Sequence, residues 1–297
     1  MILSTENGAL RERIGERKAI ELYGKVGFDA IDYGFTPWLE RGEMPWNRDD
    51  YAKYAAEVNK IAQDNGVFFN QAHGPLVYDT SKLPDFDAEI MPLNIRCMEC
   101  CALMNIPQMV VHPLHFMPYP QARRKTWELN IEFYNKLLPY AKEFGVKLAL
   151  ENMFSPDKRR GILKGDFLGY ADEFNAFFDE LNDPQFVCVV DTGHCAFTEE
   201  TPGQMIRKMG KRIAGLHIND NMFRSDDHLV PGAGKIDWDD VVKALAEIGY
   251  EGDMTLEVLW PYDAFDDSFL ESATKYMHDV GRYLIRKFDE YSEKLSK

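Results

Sequence analysis

Short hydrophobic runs alternate with longer helix-like stretches along the whole chain. The runs are β-branched or leucine-rich, as in Phe186-Val-Cys-Val-Val and Lys147-Leu-Ala-Leu. Strands that are buried on both faces have this composition, and parallel strands need a crossover, usually a helix, between them. The alternation therefore predicts a series of strand–helix units that form a parallel sheet.

Eight such units can be counted, which predicts an α/β chain folded as a single (β/α)8 TIM barrel domain over residues 1–297. The expected strands are residues 2–4, 30–33, 67–71, 108–111, 147–150, 186–190, 213–216 and 254–256. The expected helices are residues 11–24, 48–64, 86–103, 123–143, 167–181, 202–210, 238–248 and 267–294. Glycines at 24, 145 and 249 mark helix ends, and Asp237 is expected to cap the helix at Trp238.

Four side chains that commonly bind metal ions end four successive strands. They are Glu151, Asp191, His217 and Glu257. The active site of such a barrel lies at the C-terminal ends of its strands, so these side chains should converge. Three carboxylates and one imidazole suit one divalent cation, with Mn²⁺ as first choice and Mg²⁺, Co²⁺ or Zn²⁺ as alternatives. Salt bridges are the structural alternative, but a strand-end glutamate in an apolar run is costly without a partner.

Glu151 and Glu257 are also the candidates for catalysis. Two carboxylates on either side of a metal can remove a proton next to a carbonyl and return it. The longer predicted loops follow strands two, four, five and seven, on the expected catalytic side of the barrel.

Three histidines are candidates for binding substrate near this site. His73 and His112 close the third and fourth strands, and His194 follows Asp191 by three residues. A single histidine at a strand end is often structural. Their shared position at one end of the barrel favours a role in the site.

Further candidates lie on the loops at the same end. Arg224 and Trp260 are expected to contact substrate, although a solvated arginine and a packed tryptophan are equally common. Asp226 and His228 either order their loop or ligate additional metal.

Composition narrows the function further. The chain has 34 basic and 49 acidic residues, a net charge of −15, which disfavours a general affinity for nucleic acid. The absence of a signal-peptide pattern and of long apolar runs predicts a soluble, cytoplasmic protein without membrane contact. Five cysteines, an odd number, argue against a secreted disulfide framework.

Several motifs together resemble the xylose isomerase-like TIM barrel superfamily over nearly the whole chain, most of all its sugar phosphate isomerase/epimerase branch. This branch includes ketose 3-epimerases and inosose isomerases. The motifs are His73-Gly-Pro, Glu151-Asn, Asp191-Thr-Gly-His, His217-Ile-Asn-Asp, Asp226-Asp-His and the stretches 227–238 and 249–257.

The resemblance implies a metal-dependent isomerase or epimerase that moves a proton through an enediolate of a sugar or sugar phosphate. It implies metal ligation by the four strand-end residues and substrate contacts by His194 and Arg224. Asp157 stands where ketose epimerases carry a second glutamate, so it is a further substrate-binding candidate. Members of this family often form homo-oligomers, so a homo-oligomer is a possible assembly of this chain.

Two alternatives remain within the same scaffold. One is an inosose or keto-acid dehydratase. The other is an endonuclease IV-like nuclease for abasic sites in DNA. That nuclease binds three metal ions, and the chain has a match for each of its metal-ligand positions: His73, His112, Glu151, Asp191, His194, His217, Asp226, His228 and Glu257. The acidic net charge favours the sugar enzyme over the nuclease.

Overall fold

The computed structural model describes residues 1–35, 45–75, 86–259 and 262–296. The strands of its main sheet are parallel, and they are Leu3–Glu6 (β1), Ala30–Gly34 (β2), Phe68–His73 (β3), Gln108–Val110 (β4), Lys147–Glu151 (β5), Phe186–Asp191 (β8), Ile213–His217 (β9) and Met254–Leu256 (β10). Their order in the sheet is β10-β1-β2-β3-β4-β5-β8-β9.

A parallel bridge between Ile218 and Leu256 closes the sheet into a barrel. The Ile218 amide donates to the Thr255 carbonyl at 2.8 Å, and the Glu257 amide donates to the Ile218 carbonyl at 3.0 Å. The predicted (β/α)8 barrel is therefore confirmed.

Helices follow the strands in the expected order. In the described residues they are Gly8–Ile14, Glu16–Val26, Tyr51–Asp64, Met91–Met104, Arg123–Phe144, Ala171–Leu181, Pro202–Met209, Trp238–Glu247 and Leu270–Leu295. None of these helices has both the length and the apolar character that crossing a membrane requires.

Two details of the first helical region differ from the prediction. The helix is divided at Gly15, whose φ of +88° is accessible to glycine at little cost. Gly24 does not end the second half, which continues to a left-handed Gly27 with φ of +106°. Gly24 instead makes room for the backbone of Asn65, which a Cβ atom would overlap.

A two-stranded antiparallel hairpin inside the loop after β5 was not predicted. It pairs Phe154–Asp157 (β6) with Ile162–Gly165 (β7). Asp157 Oδ1 closes the turn by accepting from the Arg159 and Arg160 amides at 3.0 and 3.1 Å. Gly161, with φ of +67°, supplies the left-handed position that this turn needs.

The interior of the barrel is partly apolar and partly polar. A small buried cluster formed by Val110, Ala149, Val187 and Val189 fills one part. Asparagine, glutamine and aspartate side chains of β2, β3 and β4 fill another part and are fully or half buried. Buried polar groups are tolerated when they hydrogen-bond one another. The polar side chains of β2, β3 and β4 extend from the barrel interior toward its C-terminal end.

Candidate metal centre

The strands bring the predicted ligands to one end of the barrel. Glu151, Asp191 and His217 are the last residues of β5, β8 and β9, and Glu257 follows β10 directly. Asp191 and His217 are register partners on neighbouring strands. The sequence places an acid or imidazole at or directly after the end of each of these four strands, and the parallel topology brings the four side chains close together.

His73, Glu151, His217 and Glu257 form one cluster, in which one candidate ligand atom of each lies within 4.8 Å of the others. His217 Nδ1 lies 2.6 Å from Glu151 Oε1 and 3.6 Å from Glu257 Oε2. His73 Nε2 lies 3.3 Å from Glu257 Oε1. Three of the four predicted ligands thus meet, and His73 joins them.

Asp191 belongs to an adjoining cluster with Glu151 and His194, again within 4.8 Å. His194 Nδ1 lies 3.9 Å from Glu151 Oε1, and His194 Nε2 lies 4.0 Å from Asp191 Oδ2. Because Glu151 is common to both clusters, it links Asp191 to His217 and Glu257.

The donors in these clusters fit a divalent cation. Glu257 Oε2 is buried and has no hydrogen-bond partner among the described residues, and the same is true of Asp226 Oδ1 nearby. Buried carboxylate oxygens are costly without a proton donor or a cation. Carboxylates with imidazoles form the donor set that Mn²⁺, Zn²⁺ and related ions accept.

The two candidate catalytic carboxylates have opposite electrostatics. Burial favours the neutral form of Glu151, but the neighbouring His217 and His112 outweigh it and hold its pKa well below the usual range. Burial also raises the pKa of Glu257. His217 and His228 lower it, but burial dominates, so the pKa of Glu257 is raised well above the usual range. The surroundings of the two carboxyl groups therefore shift their pKa values in opposite directions.

Asp32, a residue not identified from the sequence, lies directly behind the imidazoles. It belongs to β2 and is fully buried. Its Oδ2 atom is 3.1 Å from His73 Nδ1 and 3.4 Å from His217 Nε2. Burial opposes its ionisation, but His73 and His217 lower its pKa well below the usual range.

Amide side chains hold Asp191. The Asn219 Nδ2 group donates to Asp191 Oδ2 at 2.8 Å, and the Asn152 side-chain oxygen accepts from the Asp191 amide at 2.8 Å. The His194 amide donates to Asp191 Oδ1 at 2.7 Å. Both asparagines follow ligand strands within two residues, and that was the signal available in the sequence.

The loop at 221–237 brings its predicted residues to the edge of the clusters. Asp226 Oδ2 lies 2.9 Å from His228 Nε2, and His228 Nδ1 lies 3.0 Å from the Glu257 carbonyl oxygen. Asp226 Oδ1 lies 3.9 Å from His194 Nε2. Asp226 and His228 therefore lie in contact with the clusters of buried acids and imidazoles and extend them.

Asp220 anchors this loop. Its Oδ2 accepts from the Gly232 and Gly234 amides at 2.8 and 3.0 Å and from Trp238 Nε1 at 2.8 Å. Its Oδ1 accepts from the Ile236 amide at 3.0 Å. One fully buried carboxylate thus fixes the chain on the C-terminal side of His228.

The remaining candidates are placed differently. His112 Nε2 lies 2.8 Å from Glu151 Oε2, so this histidine is part of the site. Arg224 is exposed on its loop, and Asp157 is the last residue of β6, next to the hairpin turn. Trp260 lies outside the described residues. Substrate contacts by these last three residues stay predictions.

Comparison with known proteins identifies the family of this chain. The family described as xylose isomerase-like TIM barrel matches residues 20–281, and the chain belongs to this family. D-psicose 3-epimerase of Ruminiclostridium cellulolyticum is 25% identical over 247 residues, which span 80% of this chain and 76% of the relative. Fructoselysine 3-epimerase of Escherichia coli O157:H7 is 26% identical over 258 residues, 84% of this chain and 88% of the relative.

Solved structures show the same fold. A D-psicose 3-epimerase determined in the presence of D-fructose superimposes with a TM-score of 0.73 at 19% identity, over 96% of this chain and 99% of that one. A D-tagatose 3-epimerase-like protein gives a TM-score of 0.75 at 18% identity, over 99% and 100% of the two chains. The named relatives are isomerase-type enzymes, in agreement with the enzyme class expected from the sequence.

Proposed function

We propose that the protein is a divalent-metal-dependent epimerase of a ketose or ketose phosphate, which inverts a carbon next to the carbonyl by proton transfer. The observation that carries this proposal is the pair Glu151 and Glu257. Both carboxylates face His217 Nδ1, at 2.6 and 3.6 Å, at the C-terminal end of the barrel. The relatives named above, which act on D-psicose and fructoselysine, make ketoses the first substrate class to examine.

The ligands for the cation are Glu151, His217, Glu257 and Asp191, with His73 as a further donor. When bound there, a divalent cation supplies Lewis-acid polarisation of a carbonyl. The family supports a cation at this place, and Mn²⁺ is our first choice.

The chain's own residues supply the proton transfer. Glu151 acts as the base that removes the proton from the carbon next to the carbonyl. Glu257 acts as the acid that donates a proton to the opposite face of the resulting enediolate, which inverts the centre. In the reverse direction the two exchange roles.

Surrounding groups orient the substrate and exclude water. His194 Nδ1 lies 2.7 Å from the Asn152 carbonyl oxygen, and this contact fixes its ring. The other ring nitrogen is then available to a sugar hydroxyl. Glu151 is 1% exposed, so bulk water does not compete for its proton. A positioned base contributes about 10²–10⁴-fold to rate, so orientation and electrostatics must supply the rest.

The test is turnover in deuterated water. The Mn²⁺-loaded protein is incubated with D-psicose, D-fructose, D-tagatose, fructoselysine, ketose phosphates and inososes. We expect the epimerised product to carry one deuterium at the inverted carbon. Glu151→Gln and Glu257→Gln should each reduce this incorporation by at least about 10²-fold, the lower range for a lost acid–base group.

Glu99→Gln is the matched control, because Glu99 lies on the outer helix Met91–Met104, away from the barrel mouth. It should leave turnover unchanged. Turnover without any solvent deuterium would indicate a hydride shift between neighbouring carbons, that is, isomerisation, and would exclude the two-carboxylate mechanism. Loss of water from an inosose instead of inversion would assign the site to a dehydratase.

A further inference from the structure

Asp32 lies where one carboxylate can act on two imidazoles of the metal centre. Its Oδ2 atom lies 3.1 Å from His73 Nδ1 and 3.4 Å from His217 Nε2, and it accepts a 2.8 Å hydrogen bond from Gln71 Nε2. His217 Nε2 has no hydrogen-bond partner among the described residues. Among the described residues, the Asp32 carboxylate is therefore the nearest acceptor for a proton on His217 Nε2.

The two histidines present opposite nitrogens to Asp32. An ionised carboxylate only accepts hydrogen bonds, so it favours a proton on His73 Nδ1 and on His217 Nε2. The other nitrogens, His73 Nε2 and His217 Nδ1, are then left with free lone pairs. These two atoms face Glu257 Oε1 at 3.3 Å and Glu151 Oε1 at 2.6 Å, within the predicted metal centre.

The geometry points to Asp32 as a positioning residue: we propose that it sets the tautomers of both His73 and His217, so that their lone pairs face the cation. A ligating imidazole must be neutral, and its second nitrogen usually donates to a carboxylate or carbonyl, which fixes the ring and raises its basicity. This inference rests on the metal dependence in the proposed function and extends it to a residue behind the ligands.

The surroundings of Asp32 hold this arrangement in place. The rings of His73 and His217 are stacked, with centroids 4.2 Å apart and planes 19° from parallel, so neither ring can turn independently. Gln108 Nε2 donates to Gln71 Oε1 at 3.2 Å, and this bond orients the Gln71 amide toward Asp32. A continuous line of hydrogen bonds therefore runs from inside the barrel to the ligands.

Asp32→Asn tests the proposal. The amide keeps the shape of the side chain, but it loses the negative charge and replaces one acceptor oxygen by a donor. We expect the affinity for Mn²⁺, measured by calorimetric titration of the metal-free protein, to fall about 10–100-fold. In the Zn²⁺-loaded wild-type protein, ¹⁵N NMR should show protonated Nδ1 in His73 and protonated Nε2 in His217, and this pattern should change in the variant.

Asp253→Asn is the matched control. Asp253 precedes β10 at the opposite end of the barrel, where it accepts from Asn70 Nδ2 at 3.0 Å, so Mn²⁺ affinity should not change. If Asp32→Asn does not fold, Gln71→Met removes only one donor to Asp32 and should weaken Mn²⁺ binding less. Unchanged Mn²⁺ affinity in the folded variant overturns the proposal for Asp32 alone. A wild-type protein that binds no divalent cation overturns the proposed function as well.

Discussion

The motif Asp191-Thr-Gly-His contains a glycine for reasons of space. Gly193 has an ordinary φ of −69°, which any residue can adopt. A Cβ atom there would overlap Asn219 Oδ1, well inside van der Waals contact. Asn219 is the residue whose amide donates to Asp191 Oδ2 at 2.8 Å. The glycine therefore makes room for the group that orients a predicted metal ligand.

We expect Gly193→Ala to displace the Asn219 amide. Overpacking of this kind typically costs about 1–3 kcal/mol of stability. Metal affinity should also fall, because Asp191 loses its hydrogen bond. Urea unfolding and Mn²⁺ titration measure the two effects.

A double-mutant cycle with Asn219→Ala separates the clash from other causes. Removing the Asn219 side chain leaves space for the new methyl group, so Gly193→Ala should cost much less in that background. Equal losses of stability in both backgrounds would show that the space taken by Asn219 is not the reason for a glycine at position 193.

Residue types at strand ends are enough to predict which acids and imidazoles come together, whereas the groups that support them are harder to predict. Glu151, His217 and Glu257 stand out because each ends an apolar run. Asp32 lies inside the short strand Ala30–Gly34. An acid within this mostly apolar run was the only feature of the sequence that indicated its role. Its partner His73 lies 41 residues away, and only the barrel topology brings the two together.

The periodic elements are predictable because their patterns are local. Helix ends with a cap follow this rule: Asp237 caps its helix as predicted by accepting from the Asp240 amide at 3.2 Å. The hairpin Phe154–Gly165 was not predicted from the sequence. Its residues are mostly polar or exposed, so no alternation of apolar and polar residues marks its strands. Its turn is determined by Asp157 and Gly161 rather than by a hydrophobic pattern.

An ion pair between Arg282 and Asp29 joins the terminal helix Leu270–Leu295 to the start of the barrel. Arg282 donates to Asp29 Oδ1 at 2.8 Å and to the Gly27 carbonyl at 3.1 Å, and Asp29 Oδ2 accepts from the Leu3 amide at 2.8 Å. Burial alone would raise the pKa of Asp29, but these donors outweigh it and lower the pKa below its usual 3.8. Asp29 thus joins the last helix to β1.

We expect Asp29→Asn to lower stability at pH 7 by less than about 1 kcal/mol, since a partly exposed pair is screened by solvent. The folded-state pKa lies below the unfolded value, so the contribution is fully present above the unfolded pKa. It is lost as the pH falls through the lower folded-state value. Urea midpoints of wild type and variant should therefore differ at pH 7 and converge as the pH falls below 3.8.

Asp289→Asn is the control for this pair. Asp289 is exposed on the same helix, and its removal should have no measurable effect at either pH. A difference for Asp29→Asn that persists unchanged in acid would show that the charge of Asp29 is not its cause.

At the scale of the whole molecule, two observations bear on the kind of substrate. The net charge of −15 opposes binding of a polyanion. However, all nine positions that match a three-metal nuclease converge: His112 reaches Glu151 at 2.8 Å, and Asp226 reaches His228 at 2.9 Å. The number of bound ions therefore discriminates between the sugar enzyme and the nuclease more directly than charge alone.

We expect one divalent ion per chain, measured by elemental analysis after dialysis against Mn²⁺. Because the ion binds the folded state, 100-fold excess over its Kd should stabilise the protein by about 2.7 kcal/mol, seen as a higher Tm that a chelator reverses. Asp191→Asn should reduce both metal content and this shift while the metal-free Tm stays near that of wild type. Unchanged metal content in Asp191→Asn would remove Asp191 from the ligands. Three zinc ions per chain, together with nicking of an abasic duplex that is lost on replacing His73 and His112, would favour the nuclease instead.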